Sequence, residues 1–170
     1  MVSSLRQFEE RCRSLYPALY RKVWWIVGDR DLAEDVLQEA MVKAYQALGQ
    51  LRDWEHFEGW LYRIAVREGM AAAKARRVRW GRRAEVDENL ISEESDPAAE
   101  VEWEEERRAI WRQLEGLSAR QRTAFVLCAV EERSIREAAD CMDISEGAVK
   151  RHLGRAREKL RKGLGRYLGR

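Results

Sequence analysis

The chain has 170 residues, 36% of them charged and 45% hydrophobic, with two prolines and a net charge of +2. That length allows one domain or two small ones, each near the size at which a core is only just sufficient. No apolar run is long enough to cross a bilayer and Met-Val-Ser-Ser-Leu-Arg is no signal peptide, so a cytoplasmic protein is expected. Cys12, Cys128 and Cys141 are odd in number and far apart, without a CxxC pair, which argues against metal sites and disulfides. Few strand-like alternations occur, and the fold class expected is all-α.

Charge is distributed unevenly. Residues 1–83 hold 16 basic and 11 acidic groups, 84–106 hold 11 acidic and none basic, and 107–170 hold 16 basic and 8 acidic. Two basic lobes on either side of an acidic segment suggest two nucleic-acid-facing modules and a connector.

In chain order, Phe8, Cys12 and Leu15 line a short amphipathic helix, and Pro17 suits the first turn of a second that carries Leu19, Tyr20, Val23, Trp24 and Val27. Gly28-Asp29-Arg30-Asp31 breaks that helix, and Asp31 with Glu34 resembles a capping pair for a third. Ala33, Val36, Leu37, Ala40, Met41, Ala44, Tyr45 and Leu48 then fall on one face, with Glu34, Asp35, Gln38 and Glu39 opposite. A loop with Arg52, Trp54, His56 and Phe57 leads into a fourth helix near Phe57, which runs on through six basic residues in AAAKARRVRWGRR. Aromatic side chains beside Lys and Arg can stack unpaired bases while holding the backbone. Taken singly, Trp54, Phe57 and Trp60 read more readily as core.

Residues 84–96 show no periodic stripe and read as a flexible linker. Asp96-Pro97 restarts helix, acidic first and basic later, in the order that suits the helix dipole. Ser118 with Gln121 caps the next helix, whose apolar face is Ala124, Phe125 and Cys128. Ser134 with Glu137 is a capping box, after which Ile135, Ala138, Ala139 and Met142 form one stripe. Asp143 and Ile144 make a turn, Ser145 is a good N-cap, and the last helix buries Val149, Leu153, Ala156 and Leu160. Residues 148–170 hold nine Lys or Arg against one acid. A small residue on the first helix of the pair and a cationic outer face on the second are what a helix-turn-helix needs to enter a major groove.

The runs DRDLAEDVLQEAMVKAYQAL (29–48), FEGWLYRIA (57–65), LSARQRTAFVL (117–127) and SIREAADCMDISEGAVKRHLGRAREKLRKGL (134–164) together resemble the extracytoplasmic-function sigma factors of bacterial RNA polymerase. The resemblance implies two small helical domains joined by an acidic flexible linker. A region 2-like domain would cover 1–83, the linker 84–96, and a region 4-like domain with the helix-turn-helix 97–170. It also implies partners: core RNA polymerase, promoter DNA and an anti-sigma factor, with no membrane insertion and no cofactor.

Site roles follow from the same resemblance. Asp35, Gln38 and Glu39 match the surface that docks on core polymerase. Arg52, Trp54, His56 and Phe57 match the loop that captures a base flipped from the melted −10 element, whose extrusion costs a few kcal/mol offset by stacking and edge contacts. Arg63, Arg67, Lys74, Arg76, Arg77 and Arg79 match the helix behind it, facing −10 DNA and duplex phosphates. Ser145, Glu146, Lys150, Arg151 and Arg155 match the recognition helix for the −35 element, where phosphate contacts set register and base contacts set specificity. Three positions depart from the family pattern: Arg67 stands where Asn is common, Ala71 where Asp often follows, and Asp143 where the turn commonly has Gly.

The alternative is a stand-alone helix-turn-helix regulator, which leaves the 29–48 run and the basic helix without a role. An enzyme is not expected. There are two His, no HxE or CxxC zinc pattern and no phosphate-binding Gly loop, and the carboxylates lie on solvated faces.

Overall fold

The computed structural model describes the backbone of residues 2–81 and 110–168, and the side chains of 5–79 and 110–162. The linker expected at 84–96 and the start of the helix expected from Pro97 lie outside the described residues. Among those residues all regular structure is helical, arranged as two helical domains.

The N-terminal domain packs α1 (Val2–Val27), α2 (Arg30–Gln46) and α3 (Phe57–Gly81) against one another. Where the sequence predicts two helices, split at Pro17, there is one. Phe8 and Cys12 before the proline and Leu19, Val23 and Ile26 after it are all buried in the same core. Pro17 itself is exposed, where water can replace the missing backbone donor that makes a buried mid-helix proline so costly.

Gly28 turns the chain at φ +72°, a conformation cheap only for glycine, and leaves Asp29 extended. The Asp29 carboxylate then accepts from the Leu32 N–H at 2.9 Å, so Asp29, not Asp31, caps α2. The α2 stripe holds at Ala33, Val36, Leu37, Ala40 and Ala44, all buried. Tyr45 stays about half exposed, its ring 5.6 Å from that of Phe8, and Leu48 belongs to a following 3₁₀ turn, Leu48–Gln50.

The C-terminal domain comprises helical residues 110–115 (α4), α5 (Ala119–Phe125) with a π turn at Val126–Val130, α6 (Ile135–Met142) and α7 (Glu146–Leu168). Both expected capping boxes are present, Ser118 with Gln121 and Ser134 with Glu137. Asp143 takes the left-handed conformation at φ 55°, and Ser145 Oγ accepts from the Ala148 N–H at 3.2 Å. Ala138, Ala139 and Met142 of α6 are buried with Val149 and Leu153 of α7.

The two domains touch. α3 packs on α5 and α6, α1 on α5, and one buried apolar cluster runs through both domains. Trp111 sits where a Cβ on Gly28 would have to be, and its ring lies 5.5 Å from that of Trp24. Glycine is therefore needed at 28 twice over, for its positive φ and for the indole resting on it.

Candidate nucleic-acid interface

Asp35, Gln38 and Glu39 project from the exposed face of α2, opposite its buried stripe. Glu39 pairs with Lys43 at 3.4 Å, and Lys43 reaches Glu68 of α3 at 2.7 Å. Asp35 and Gln38 complete a carboxylate-rich patch facing solvent.

The loop before α3 is shaped by Asp53, which accepts from the Glu55 N–H at 3.0 Å and so starts a 3₁₀ turn, Trp54–His56. Arg52 and His56 are exposed, and Trp54 is half-buried under Arg11, which donates to its carbonyl at 2.9 Å. Phe57 is fully buried, edge-on to Phe8 at 5.6 Å, and braces the loop from inside. Trp60 is half-buried beside it, with ring centroids 6.1 Å apart.

The basic residues of α3 divide by their surroundings. Lys74 and Arg79 are exposed. Arg76 donates to the Val27 carbonyl at 3.4 Å and pairs with Asp29 at 3.3 Å, tying α3 to the end of α1. Arg77 and Arg67 reach across to the other domain: Arg77 donates to the Leu117 carbonyl, Arg67 to those of Asp140 and Cys141. Arg63 is half-buried and lines a groove of about 560 Å³ with Arg67, Asp140, Asp143 and Ser145.

In the C-terminal domain Ser145, Glu146, Lys150, Arg151 and Arg155 are all exposed on the first turns of α7. Val149 and Leu153 anchor the opposite face, so the helix presents a cationic surface on a rigid support. His152 lies half-buried between them. Burial foremost, then the charges of Arg120, Arg151 and Arg155, hold its imidazole below the ordinary value, so it is largely neutral at physiological pH.

Sequence reasoning passed over the residues that join the domains. Tyr62, buried in α3, donates its hydroxyl to Glu131 Oε2 at 2.6 Å, and Arg133 lies 4.4 Å from the centre of the Tyr62 ring. Arg122 donates to the Ile26 carbonyl at 2.7 Å. A tyrosine in an apolar stripe and a glutamate in a loop carry no signal that they will meet. The cysteines are small packing residues: burial pushes the Cys12 thiol up to about 11 and raises those of Cys128 and Cys141, leaving little reactive thiolate near neutrality.

The comparisons with known proteins meet this geometry on both sides. The family model for sigma-70 region 2 matches residues 12–79, and that for sigma-70 region 4 matches residues 107–160. The ECF RNA polymerase sigma-E factor of Escherichia coli strain K12 is 38% identical over 138 residues, 74% of this chain and 70% of that protein. The chain belongs to the extracytoplasmic-function sigma factors. The RNA polymerase sigma-H factor of Pseudomonas aeruginosa is 32% identical over 151 residues, 81% of this chain and 76% of that one.

Two solved structures share the fold of this sigma factor. A sigma factor RpoE solved with the anti-sigma factor NepR from Bartonella quintana has a TM-score of 0.66 at 22% identity, covering 93% of this chain and 96% of that one. CnrH, solved with the cytosolic domain of CnrY, has a TM-score of 0.58 at 24% identity, covering 95% and 89%. As a class, sigma factors are initiation factors that direct polymerase to promoters and are not themselves enzymes. Among the described residues no helix is long and apolar enough to cross a membrane.

Proposed function

We propose that this chain gives core RNA polymerase its promoter specificity through three separate surfaces. The carboxylate face at Asp35, Gln38 and Glu39 docks on core. The loop at Arg52, Trp54 and His56, braced by Phe57, takes a base of the melted −10 strand, with Arg63, Arg67, Lys74, Arg76, Arg77 and Arg79 toward the adjoining DNA. The face at Ser145, Glu146, Lys150, Arg151 and Arg155 reads the −35 duplex. The domains bearing them would span 1–83 and 97–170, with the acidic segment 84–96 between.

The observation that carries this reading is the α7 surface: five exposed polar or charged residues on the first turns of a helix whose N-cap and left-handed turn are both formed. A helix entering a major groove meets phosphates at its rim and base edges at its tip, and needs that placement. The protein would act without catalysis of its own, in the cytoplasm, where polymerase and DNA are.

The likeness to a fold solved with an anti-sigma factor supports a further partner. An inhibitory protein would contact both domains and compete with core polymerase. Pull-down of the purified chain with core polymerase tests the central reading, and retention of core on the chain is the expected result. Titrating a captured inhibitor against core tests the partner: simultaneous binding of both, with full transcription, would refute the competition.

A further inference from the structure

Two side chains one turn apart on α1, Phe8 and Arg11, grip the loop that precedes α3. Phe8 lies edge-on to Phe57, with ring centroids 5.6 Å apart. Arg11 Nη1 donates to the Trp54 carbonyl at 2.9 Å, from 43 positions away in the sequence. Its guanidinium carbon also stands 5.7 Å from the centre of the Trp54 ring, and that ring rests on Phe57 at a centroid distance of 5.3 Å. One arginine thus holds both the backbone and the indole of the same loop residue.

The other hydrogen bonds of this loop, among the described residues, are local. The Gln50 N–H donates to Ala47, that of Leu51 to Leu48, that of Phe57 to Trp54, and those of Glu55 and His56 to Asp53. Such bonds close single turns and leave the turns free to shift together against the helices. A three-residue 3₁₀ turn also has poor hydrogen-bond geometry of its own. What fixes Trp54–His56 against the domain is therefore Phe57 in the core and, on its flank, Arg11. The Trp54 carbonyl already accepts from the Phe57 N–H, so Arg11 adds restraint to the turn and does not satisfy an orphaned acceptor.

We propose that Arg11 is a positioning residue for capture of the −10 strand, presetting the Trp54–His56 turn in the shape that receives an unpaired base. The inference rests on the loop assignment made under the proposed function. Drawing a base out of its stack costs free energy, and a receptor already in shape offsets that cost without also having to order itself. Arginine suits the place because its planar fork donates to a carbonyl while lying against an indole. Methionine would cover the ring and leave the carbonyl contact unmade. Lysine keeps the charge and a donor but lacks the plane.

The test compares the full-length wild type with Arg11→Met and Arg11→Lys, each assembled with core polymerase. The probe is a single-stranded −10 oligonucleotide from a promoter found by run-off transcription, and affinity for core is measured in parallel. Arg11→Met should bind the strand about tenfold more weakly and Arg11→Lys about threefold, with core affinity kept within about twofold. Hydrogen exchange should quicken at the amides of Glu55 and His56 and stay slow in α2. A role in general stability alone would lower core and strand affinity together, because α2, which carries the docking face, packs on the same α1. Equal losses in both, or unchanged strand affinity in folded Arg11→Met, overturns the proposal. A wild-type complex that binds the −10 strand no better than a scrambled one overturns the loop assignment instead.

Discussion

The Arg122 guanidinium carbon lies 4.5 Å from the centre of the Trp111 ring, and the side chain is almost completely buried between the domains. Burial foremost, then the charges of Arg76 and Arg77, pulls its pKa down to about 10. Since the lowered value belongs to a base, the charged form is what the fold disfavours, and this group's contribution improves only as pH rises from about 10 toward 12.5. At neutral pH the Trp111 contact and the hydrogen bond to Ile26 must offset that cost. Arg122→Ala, which leaves a cavity and an unpaired Ile26 carbonyl, should cost about 3 kcal/mol in denaturant unfolding. Arg122→Met keeps the indole covered and removes the buried charge, so its cost should be nearer about 1 kcal/mol. Equal losses from the two would mean that the charge itself stabilises the contact.

Gly28→Ala forces a side chain into φ +72° and into the Trp111 indole. The backbone penalty alone is about 1–2 kcal/mol. Displacement of Trp111 should add to it and expose the ring, as a red shift in tryptophan emission. A variant as stable as wild type, with unshifted emission, would place Trp111 elsewhere in solution.

Asp35→Lys with Glu39→Lys tests the docking face. Both positions are exposed on α2, so the fold should survive, although the second substitution sets a like charge beside Lys43 at a cost of a few tenths of a kcal/mol. Core binding should weaken at least tenfold, about 1.4 kcal/mol, as attraction becomes repulsion. Unchanged affinity in the folded double variant would move the docking surface.

Much of this is legible in the sequence, for local reasons. The helix-turn-helix announces itself through the capping box at Ser134 and Glu137, a residue tolerant of positive φ at 143 and stripes three and four residues apart, all properties of neighbours in the chain. Sequence and structure part where tertiary packing outweighs local preference. Pro17 reads as a helix start because its neighbours cannot show that one core lies beneath both halves of α1. Asp31 reads as the cap because its spacing to Glu34 does not show the left-handed turn at Gly28, after which Asp29 is extended and caps α2. Of the loop aromatics, Phe57 is fully buried and Trp54 and Trp60 half-buried, a division that hangs on the partner Phe8, about fifty residues away. Contacts between domains, such as Tyr62 with Glu131, leave no periodic trace at all.

The −35 reader can be dissected by salt. If Lys150 or Arg151 contacts a phosphate, its replacement by Ala weakens all sequences alike and lowers the salt slope by about one unit. If it contacts a base edge, preference relaxes at one position with the slope retained. A residue with neither effect would be a solvated bystander.

His152 gives the C-terminal domain an acid weakness. Its imidazole is held below the ordinary 6.5, so on acidification the unfolded chain takes up a proton that the folded one resists. Stability present above pH 6.5 is therefore lost as pH falls below it. Thermal melts at about pH 7.5 and about pH 5.5, on either side of the ordinary imidazole value, should show a drop in wild type that is smaller in His152→Met. An equal drop in both would assign the acid sensitivity to other groups.

The central claim is that this chain directs polymerase to particular promoters. Run-off transcription with core polymerase on a library of genomic fragments tests it most directly, because activity and sequence preference are read together. The account predicts transcripts from a small set of fragments that share a −10 and a −35 element, absent without the protein and lost when Lys150 and Arg151 are both replaced by Ala. Transcription that is no different with and without the protein, or that starts on all fragments alike, would contradict it.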